Sequence, residues 1–190
     1  MRLAALSLAL AALWAAGPAA AQEGSAQTRY PFFTPPSRLF SCEIPVGWSS
    51  FETETLRGKA VHIVGPRGSG TLRPAYHIHH FDKTKPGFLP GKDALRRELK
   101  SDKASGRESS ATVSVRAGRN TGKMFEVREE RLLPEGRLPA KPARLHHFYA
   151  FLASGADEYI MIKLSCPEED FVAYRQEFRR FLKSFRVLGY

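Results

Sequence analysis

The sequence predicts an α+β protein, a three-layer α/β/α sandwich in which two main helices cover a central, mainly antiparallel sheet of about six or seven strands. Two observations lead to this fold class. Segments in which apolar and polar residues alternate, as they do in half-buried strands, follow one another through most of the chain. A strongly amphipathic segment then closes the chain, and the regular alternation of strands and helices that a parallel nucleotide-binding sheet requires is absent.

The beginning of the chain, residues 1–21, has the pattern of a secretory signal peptide: Arg2, then an apolar run, then a small-residue A-x-A cleavage site. The apolar run is shorter than the roughly 20 residues that span a bilayer. We therefore expect cleavage near Ala21, no transmembrane anchor after processing, and a periplasmic or secreted protein. Residues 22–29 are expected to be a flexible linker and residues 30–190 a single domain.

Export also governs the interpretation of the two cysteines, Cys42 and Cys166. An oxidising compartment favours pairing, so we predict a disulfide between them. Because the crosslink closes a long loop, the chain-entropy model gives it about 4–5 kcal/mol of stabilisation. A reactive thiol is the alternative, but the C-x-x-C spacing that would support one is missing.

The strands can be placed in chain order. Leu39–Ile44 alternates with one covered face, and residues 111–131 are predicted to form a β-hairpin around the turn "GRNTG", residues 118–122. Leu145–Leu152 is apolar on both sides, which predicts a strand in the middle of the sheet. Tyr159–Cys166 is the last predicted strand.

Two segments are predicted to be helices. The stronger one begins at "PEED", residues 167–170, whose proline and acidic residues suit a helix N-terminus. Its apolar residues recur at spacings of three and four. A weaker helix is predicted from Lys92 to Ala104. The other side of the stronger helix carries a basic surface made of Arg175, Arg179, Lys183 and Arg186.

Two stretches resemble a known family. "LFSCEIPVGWSSF", residues 39–51, resembles the opening strand and Pro-x-Gly-Trp turn of PsbP/Mog1/DcrB-like domains, and residues 159–187 resemble their last strand and closing helix. The resemblance implies a three-layer sandwich with an antiparallel sheet. Similar domains serve as a photosystem II subunit, a small-GTPase partner and an envelope protein, so it implies binding rather than catalysis. The matching positions are packing positions, and no functional residue is carried over from them.

Motifs for catalysis are missing from the sequence. "GPRGSGT", residues 65–71, and "AGRNTGKM", residues 117–124, are predicted to be turns, because neither has the glycine order of a phosphate-binding loop. The sequence also contains no G-x-S-x-G nucleophile elbow. We therefore predict no catalytic or cofactor-binding residues and expect a protein that is not an enzyme.

The net charge of +10 favours anionic partners. We expect an envelope protein, or an anionic polymer or lipid surface, to bind the basic surface of the last helix. A solvated helix face is the alternative. Nucleic acid is not expected, because an exported domain without a basic and aromatic binding motif has no evident means of contacting it.

Histidines cluster in "RPAYHIHHFDK", residues 73–83. In a strand His77 and His79 point to one face and His80 to the other. Two imidazoles on one face are a partial site for zinc or copper, which need further nitrogen or carboxylate ligands.

A third ligand would have to come from a neighbouring strand. The adjacent pair His146 and His147 puts one ring on either face, and His62 is a further candidate. The metal hypothesis therefore names His77, His79 and His147. The alternatives are ordinary polar positions on a sheet, with no cofactor, or a pH-sensitive cluster.

Overall fold

A computed structural model describes the domain. It covers residues 29–67, 72–134, 136, 138–155 and 158–188. The predicted signal peptide and nearly all of the predicted linker lie outside these residues. No helix within them is both long enough and apolar enough to cross a membrane.

The described residues form eleven strands and two α-helices, connected by short turns. The strands are β1 (Phe32–Phe33), β2 (Phe40–Glu43), β3 (Ser49–Thr55), β4 (Gly58–Val64), β5 (Ala75–Phe81), β6 (Glu108–Ser109), β7 (Val113–Ala117), β8 (Asn120–Leu133), β9 (Lys141–Ala153), β10 (Tyr159–Pro167) and β11 (Arg186–Val187). The helices are α1 (Gly91–Glu98) and α2 (Phe171–Ser184), and a single 3-10 turn at Glu168–Asp170 leads into α2.

Most of these strands belong to one antiparallel sheet. Its order is β3-β4-β5-β10-β9-β8-β6, and β7 pairs with the part of β8 that β6 leaves open. A second, small sheet has the order β1-β2-β11. The predicted fold class is confirmed, and the two-residue β6 brings the large sheet to eight strands.

The two faces of the large sheet carry different layers. One face packs against α2 and the small sheet through a large apolar cluster that includes the buried rings of Phe40, Phe178, Phe181 and Phe185. The other face carries a smaller cluster under α1, built from residues such as Phe125, Tyr149, Phe151 and Tyr159. Because α1 has only eight residues, it covers only the part of this sheet face that carries the smaller cluster.

Helix α1 ends earlier than the sequence predicts, at Glu98 rather than near Ala104. The chain turns back after it, and Asp102 and Arg107 form a bridge. The Arg107 guanidinium then donates a hydrogen bond of 2.9 Å to the carbonyl of Glu98. A terminal carbonyl of the helix is therefore satisfied by a side chain instead of a further turn.

The predicted hairpin is present, but its turn is shorter than "GRNTG". Ala117 pairs with Asn120, so only Gly118 and Arg119 form the turn, and Gly118 has a φ of +59°. Gly122 lies within β8 and faces the backbone of β9. The strand predicted in the middle of the sheet, Leu145–Leu152, is β9, with β8 and β10 on its two sides.

The predicted disulfide is not formed in the structure, where Cys42 and Cys166 are free and buried thiols. They belong to different sheets: Cys42 pairs with Phe33 in the small sheet, and Cys166 pairs with His146 in the large one. The Cys166 thiol lies 3.6 Å from the His146 carbonyl, to which it can donate. Burial raises the pKa of both thiols, that of Cys166 to about 12.

We expect an aromatic disulfide reagent to leave the native protein unmodified and to react with two thiols after unfolding, because buried thiols with raised pKa values form little thiolate. Absorbance of the released thiolate measures both states. A Ser50→Cys variant, whose new thiol is exposed on β3, is the positive control and should react at once. If the unfolded wild-type protein releases no thiolate, the disulfide predicted from the sequence is present after all.

Candidate functional site

The predicted basic surface of α2 divides into two parts. Arg175 points towards the sheet, where its Nε and Nη2 donate to the two carboxylate oxygens of Glu126 at 3.0 and 2.8 Å. Its guanidinium also lies 5.0 Å from the centre of the Phe171 ring. The charge of Arg175 is therefore paired within the domain and contributes little to an outer surface.

The other three cations predicted on this helix, Arg179, Lys183 and Arg186, line a cleft of about 770 Å³ between α2 and the segment that contains Tyr30 and Phe32. We call this the basic cleft. Its fourth cation is Arg180, whose guanidinium lies 4.1 Å from the centre of the Tyr30 ring. Together these side chains concentrate positive charge around one concave surface.

Two acidic residues, Glu43 and Glu177, also line the basic cleft. The Tyr30 hydroxyl donates to Glu177 at 2.9 Å. Burial raises the pKa of Glu177, while the hydrogen bond from Tyr30 and the charge of Arg180 oppose that effect. The four cations outnumber the acids, so the cleft keeps an excess of positive charge.

Three cations of the basic cleft lie on α2, whereas Arg186, which the sequence predicts on the same helix, lies in β11 just after the helix ends. The Ser184 hydroxyl accepts a hydrogen bond from the Glu43 amide at 2.9 Å, which joins the end of α2 to β2. The Arg186 guanidinium donates hydrogen bonds to the carbonyls of Lys183 and Phe185 at 2.7 and 2.8 Å, and it therefore caps the C-terminal end of α2. These hydrogen bonds hold the end of α2 and the Arg186 guanidinium in place beside the cleft.

A second charged cluster surrounds His146, which is fully buried. Its Nδ1 lies 2.9 Å from Glu168 and its Nε2 lies 3.0 Å from Glu126, and its ring stacks on Phe171. The hydrogen bond from His146 and the pairing with Arg175 lower the pKa of Glu126 to about 2. This cluster connects β8, β9 and the start of α2, and its groups are paired with one another.

The predicted metal ligands lie on the opposite face of the sheet. His77 and His79 share that face, but β10 lies between their strand and the strand of His147, where Ser165 is opposite His147. Within the part of the chain that the structure describes, no three metal-ligating side chains form a group that could hold an ion. His62 is instead the close partner of His77, with their Nδ1 atoms 2.9 Å apart.

Each of these rings has a local hydrogen-bond partner. His147 lies 2.9 Å from both Ser165 and Glu129, and His79 lies 3.0 Å from Thr55. Burial lowers the pKa of His77, His79 and His147 to about 4 in each case. The zinc or copper site stays a prediction from the sequence, and the geometry brings together only two rings for it.

Comparison with known proteins gives structural matches. No family model matches the chain, and no curated protein matches it by sequence. The solution structure of cyanobacterial PsbP (CyanoP) from Synechocystis sp. PCC 6803 matches over 90% of this chain and 100% of its own, with a TM-score of 0.52 and 12% identity. The chain has the PsbP/Mog1/DcrB-like fold. The crystal structure of the Ran-binding protein Mog1p from Saccharomyces cerevisiae agrees, at a TM-score of 0.51 and 11% identity over 85% of this chain and 97% of its own.

The resemblance drawn from the sequence is confirmed at the level of the fold. Among the residues that line the basic cleft, sequence reasoning missed the aromatic residues Tyr30 and Phe32, the cation Arg180, and the acids Glu43 and Glu177. Arg180 lies one position off the helical stripe that the pattern identified. The sequence does contain a signal for the aromatic side of the cleft, since Tyr30, Phe32 and Phe33 directly follow a polar segment. Aromatic residues in this position indicate that the segment packs against the rest of the domain.

Proposed function

We propose that this chain is an exported, non-enzymatic accessory domain of the cell envelope that binds an acidic segment of a partner protein in the basic cleft. The observation that carries the proposal is the arrangement of Arg179, Arg180, Lys183 and Arg186 around one concave surface. Guanidinium groups bind carboxylates through paired hydrogen bonds, so three arginines at one site favour an acidic ligand.

A protein segment fits the cleft better than a uniform polyanion does. Phe32 is 74% exposed beside the arginines, and Tyr30 lies under Arg180. Arginine together with aromatic side chains is typical of the energetic centres of protein interfaces. Glu43 and Glu177 would repel an anionic polymer or lipid surface, whereas a protein segment can place a cation or a hydrogen-bond donor beside them.

Further support comes from the sequence and from one structural neighbour. The pattern of residues 1–21 favours export, and the motifs of a phosphate-binding loop and a nucleophile elbow are missing from the sequence. Mog1p is a Ran-binding protein, so the same fold binds a protein partner in that case. The metal-binding alternative has no comparable observation, because the described histidines do not form a three-ligand group.

We expect the double variant Arg179→Glu and Lys183→Glu to bind an acidic peptide about tenfold or more weakly than the wild type, because both changes place negative charge inside the cleft. The probe is a fluorescein-labelled peptide of alternating glutamate and phenylalanine, measured by fluorescence anisotropy. Arg186 is left unchanged because its side chain caps the C-terminal end of α2, so its loss would also affect the helix. Binding should also weaken as salt is added.

The matched control is Lys100→Glu with Lys103→Glu, which makes the same change in net charge at exposed positions outside the cleft. An equal loss of affinity in the control would show that binding depends on total charge and not on this surface. Vesicles of anionic lipid and a teichoic acid polymer are titrated in parallel. Tighter binding to either of these than to the peptide would overturn the choice of a protein partner.

A further inference from the structure

A second cleft, of about 670 Å³, lies on the opposite face of the large sheet, between α1 and the ends of β8, β9 and β10. Its floor and walls are mainly apolar and aromatic, and they include Phe88, Leu95, Phe151 and Tyr159. We call it the α1 cleft. Among the residues that the structure describes, none lines both this cleft and the basic cleft.

The floor of the α1 cleft is preformed. Phe151 and Tyr159 are 7% and 5% exposed, and their ring centres lie 5.8 Å apart. Tyr159 also stacks on Phe81 at 4.4 Å. A Cβ atom at Gly91, the first residue of α1, would lie only 3.1 Å from the Tyr159 ring. The glycine therefore lets the start of the helix approach the aromatic floor closely.

The rim of the α1 cleft is positively charged. Lys92 and Lys123 are exposed lining residues, and Lys83 also lines the cleft. Glu158 is the one acidic residue among the described lining residues, and it lies 3.6 Å from the His80 ring. Helix α1 begins at this rim without a side-chain cap, and Asp93 in its first turn offsets part of the positive charge at the end of its dipole, so the positive charge of the rim comes from the lysines.

We propose that the α1 cleft binds a single-chain anionic amphiphile, a long-chain carboxylate. The hydrocarbon chain lies on Phe151 and Tyr159, and the carboxylate lies at the rim beside Lys92 and Lys123. The volume of the cleft is within the range of about 300–1,000 Å³ that is usual for small-molecule sites, which are mostly apolar with a few polar groups. An apolar floor beneath a cationic rim matches both ends of such a ligand.

Calorimetric titration of the folded domain with decanoate and dodecanoate, each below its micellar concentration, tests the proposal. Dodecanoate is expected to bind roughly tenfold more tightly than decanoate, because two more methylene groups leave water. Dodecyltrimethylammonium has an alkyl chain of nearly the same length and the opposite charge, and it should bind at least about tenfold more weakly than dodecanoate. Equal affinity for the two carboxylates, or for the two head groups, would overturn the proposal.

Variants locate the site. Lys92→Glu with Lys123→Glu should weaken dodecanoate binding by about tenfold. Ala153→Trp, which places a large ring at an exposed lining position, should abolish binding while the thermal unfolding midpoint stays close to that of the wild type. The control Lys100→Glu with Lys103→Glu should bind dodecanoate normally. Unchanged affinity in both cleft variants would place the ligand elsewhere and overturn the assignment.

The two proposals can fail separately. Arg179→Glu with Lys183→Glu alters only the basic cleft, so it should leave dodecanoate binding intact. Loss of dodecanoate binding in that variant would contradict a site at the α1 cleft, whatever the acidic peptide does.

Discussion

The free energy of unfolding is expected to fall by about 3 kcal/mol or more in total as the pH is lowered from 6.5 to about 4. Burial, as the largest cause, lowers the pKa of His77, His79 and His147 from 6.5 to about 4. In this window the unfolded chain takes up protons at these rings and the folded domain does not. Their contribution to stability is therefore fully present above pH 6.5 and is lost as the pH falls towards 4.

Carboxylates extend the loss of folding stability to lower pH. The pKa of Glu126 is lowered from 4.5 to about 2, first by its hydrogen bond with His146 and then by Arg175. A carboxylate of this kind stabilises the fold above its unfolded pKa, and the stabilisation is lost as the pH falls through the folded value. Folding stability should therefore be lost over two successive pH ranges, the first due to the histidines and the second due to the carboxylates.

Urea unfolding, followed by tryptophan fluorescence between about pH 7.5 and about pH 4.5, measures the first window. The variant His77→Asn removes one of the three rings and should reduce the slope of stability against pH. Lys103→Gln, an exposed change outside the histidine cluster, is the control and should leave the slope unchanged. A wild-type profile that is flat between pH 7 and 5 would contradict the buried and neutral state of these histidines.

Gly122→Ala is expected to cost about 3 kcal/mol or more of folding stability. An added Cβ would lie 1.8 Å from the carbonyl oxygen of Phe151 and 3.1 Å from the Cα of Leu152. Both atoms belong to the backbone of β9, so neither can rotate away as a side chain could. The pairing of β8 with β9 would have to separate locally, and it joins two long strands of the large sheet.

Thermal unfolding followed by circular dichroism measures this effect. Gly155→Ala is the matched control, because its added Cβ would meet only the side chain of Glu158 at an ordinary 3.7 Å. We expect the control to unfold within a few degrees of the wild type. Equal midpoints for the two variants would show that the close approach at Gly122 does not constrain the sheet.

The sequence predicts those parts of the fold that depend on local periodicity. Alternation identifies several of the strands, and the apolar residues on both sides of Leu145–Leu152 correctly place this strand in the middle of the sheet. Spacings of three and four identify α2, whose Phe178 and Phe181 are buried as the pattern requires. Each of these patterns depends only on which side of one segment faces the core. The sequence of that segment is therefore sufficient to predict it.

Features that depend on the neighbours of a segment could not be predicted in this way. The sequence of an individual strand does not indicate that β10 lies between β5 and β9. This strand order separates His147 from His77. The inward position of Arg175 depends on Glu126 in a different strand. Gly122 was assigned to a turn because glycine is common there, whereas its position in the strand follows from the approach of β9.

The position of β10 also sets the order in which the large sheet can form. Synthesis from the N-terminus releases every other strand of that sheet first, and the halves β3-β4-β5 and β9-β8-β6 have no strand pairing with each other until β10 joins them. A nascent chain that ends before Tyr159 therefore lacks the strand that joins these two halves. The large sheet can therefore be completed only after almost the whole polypeptide has been synthesised.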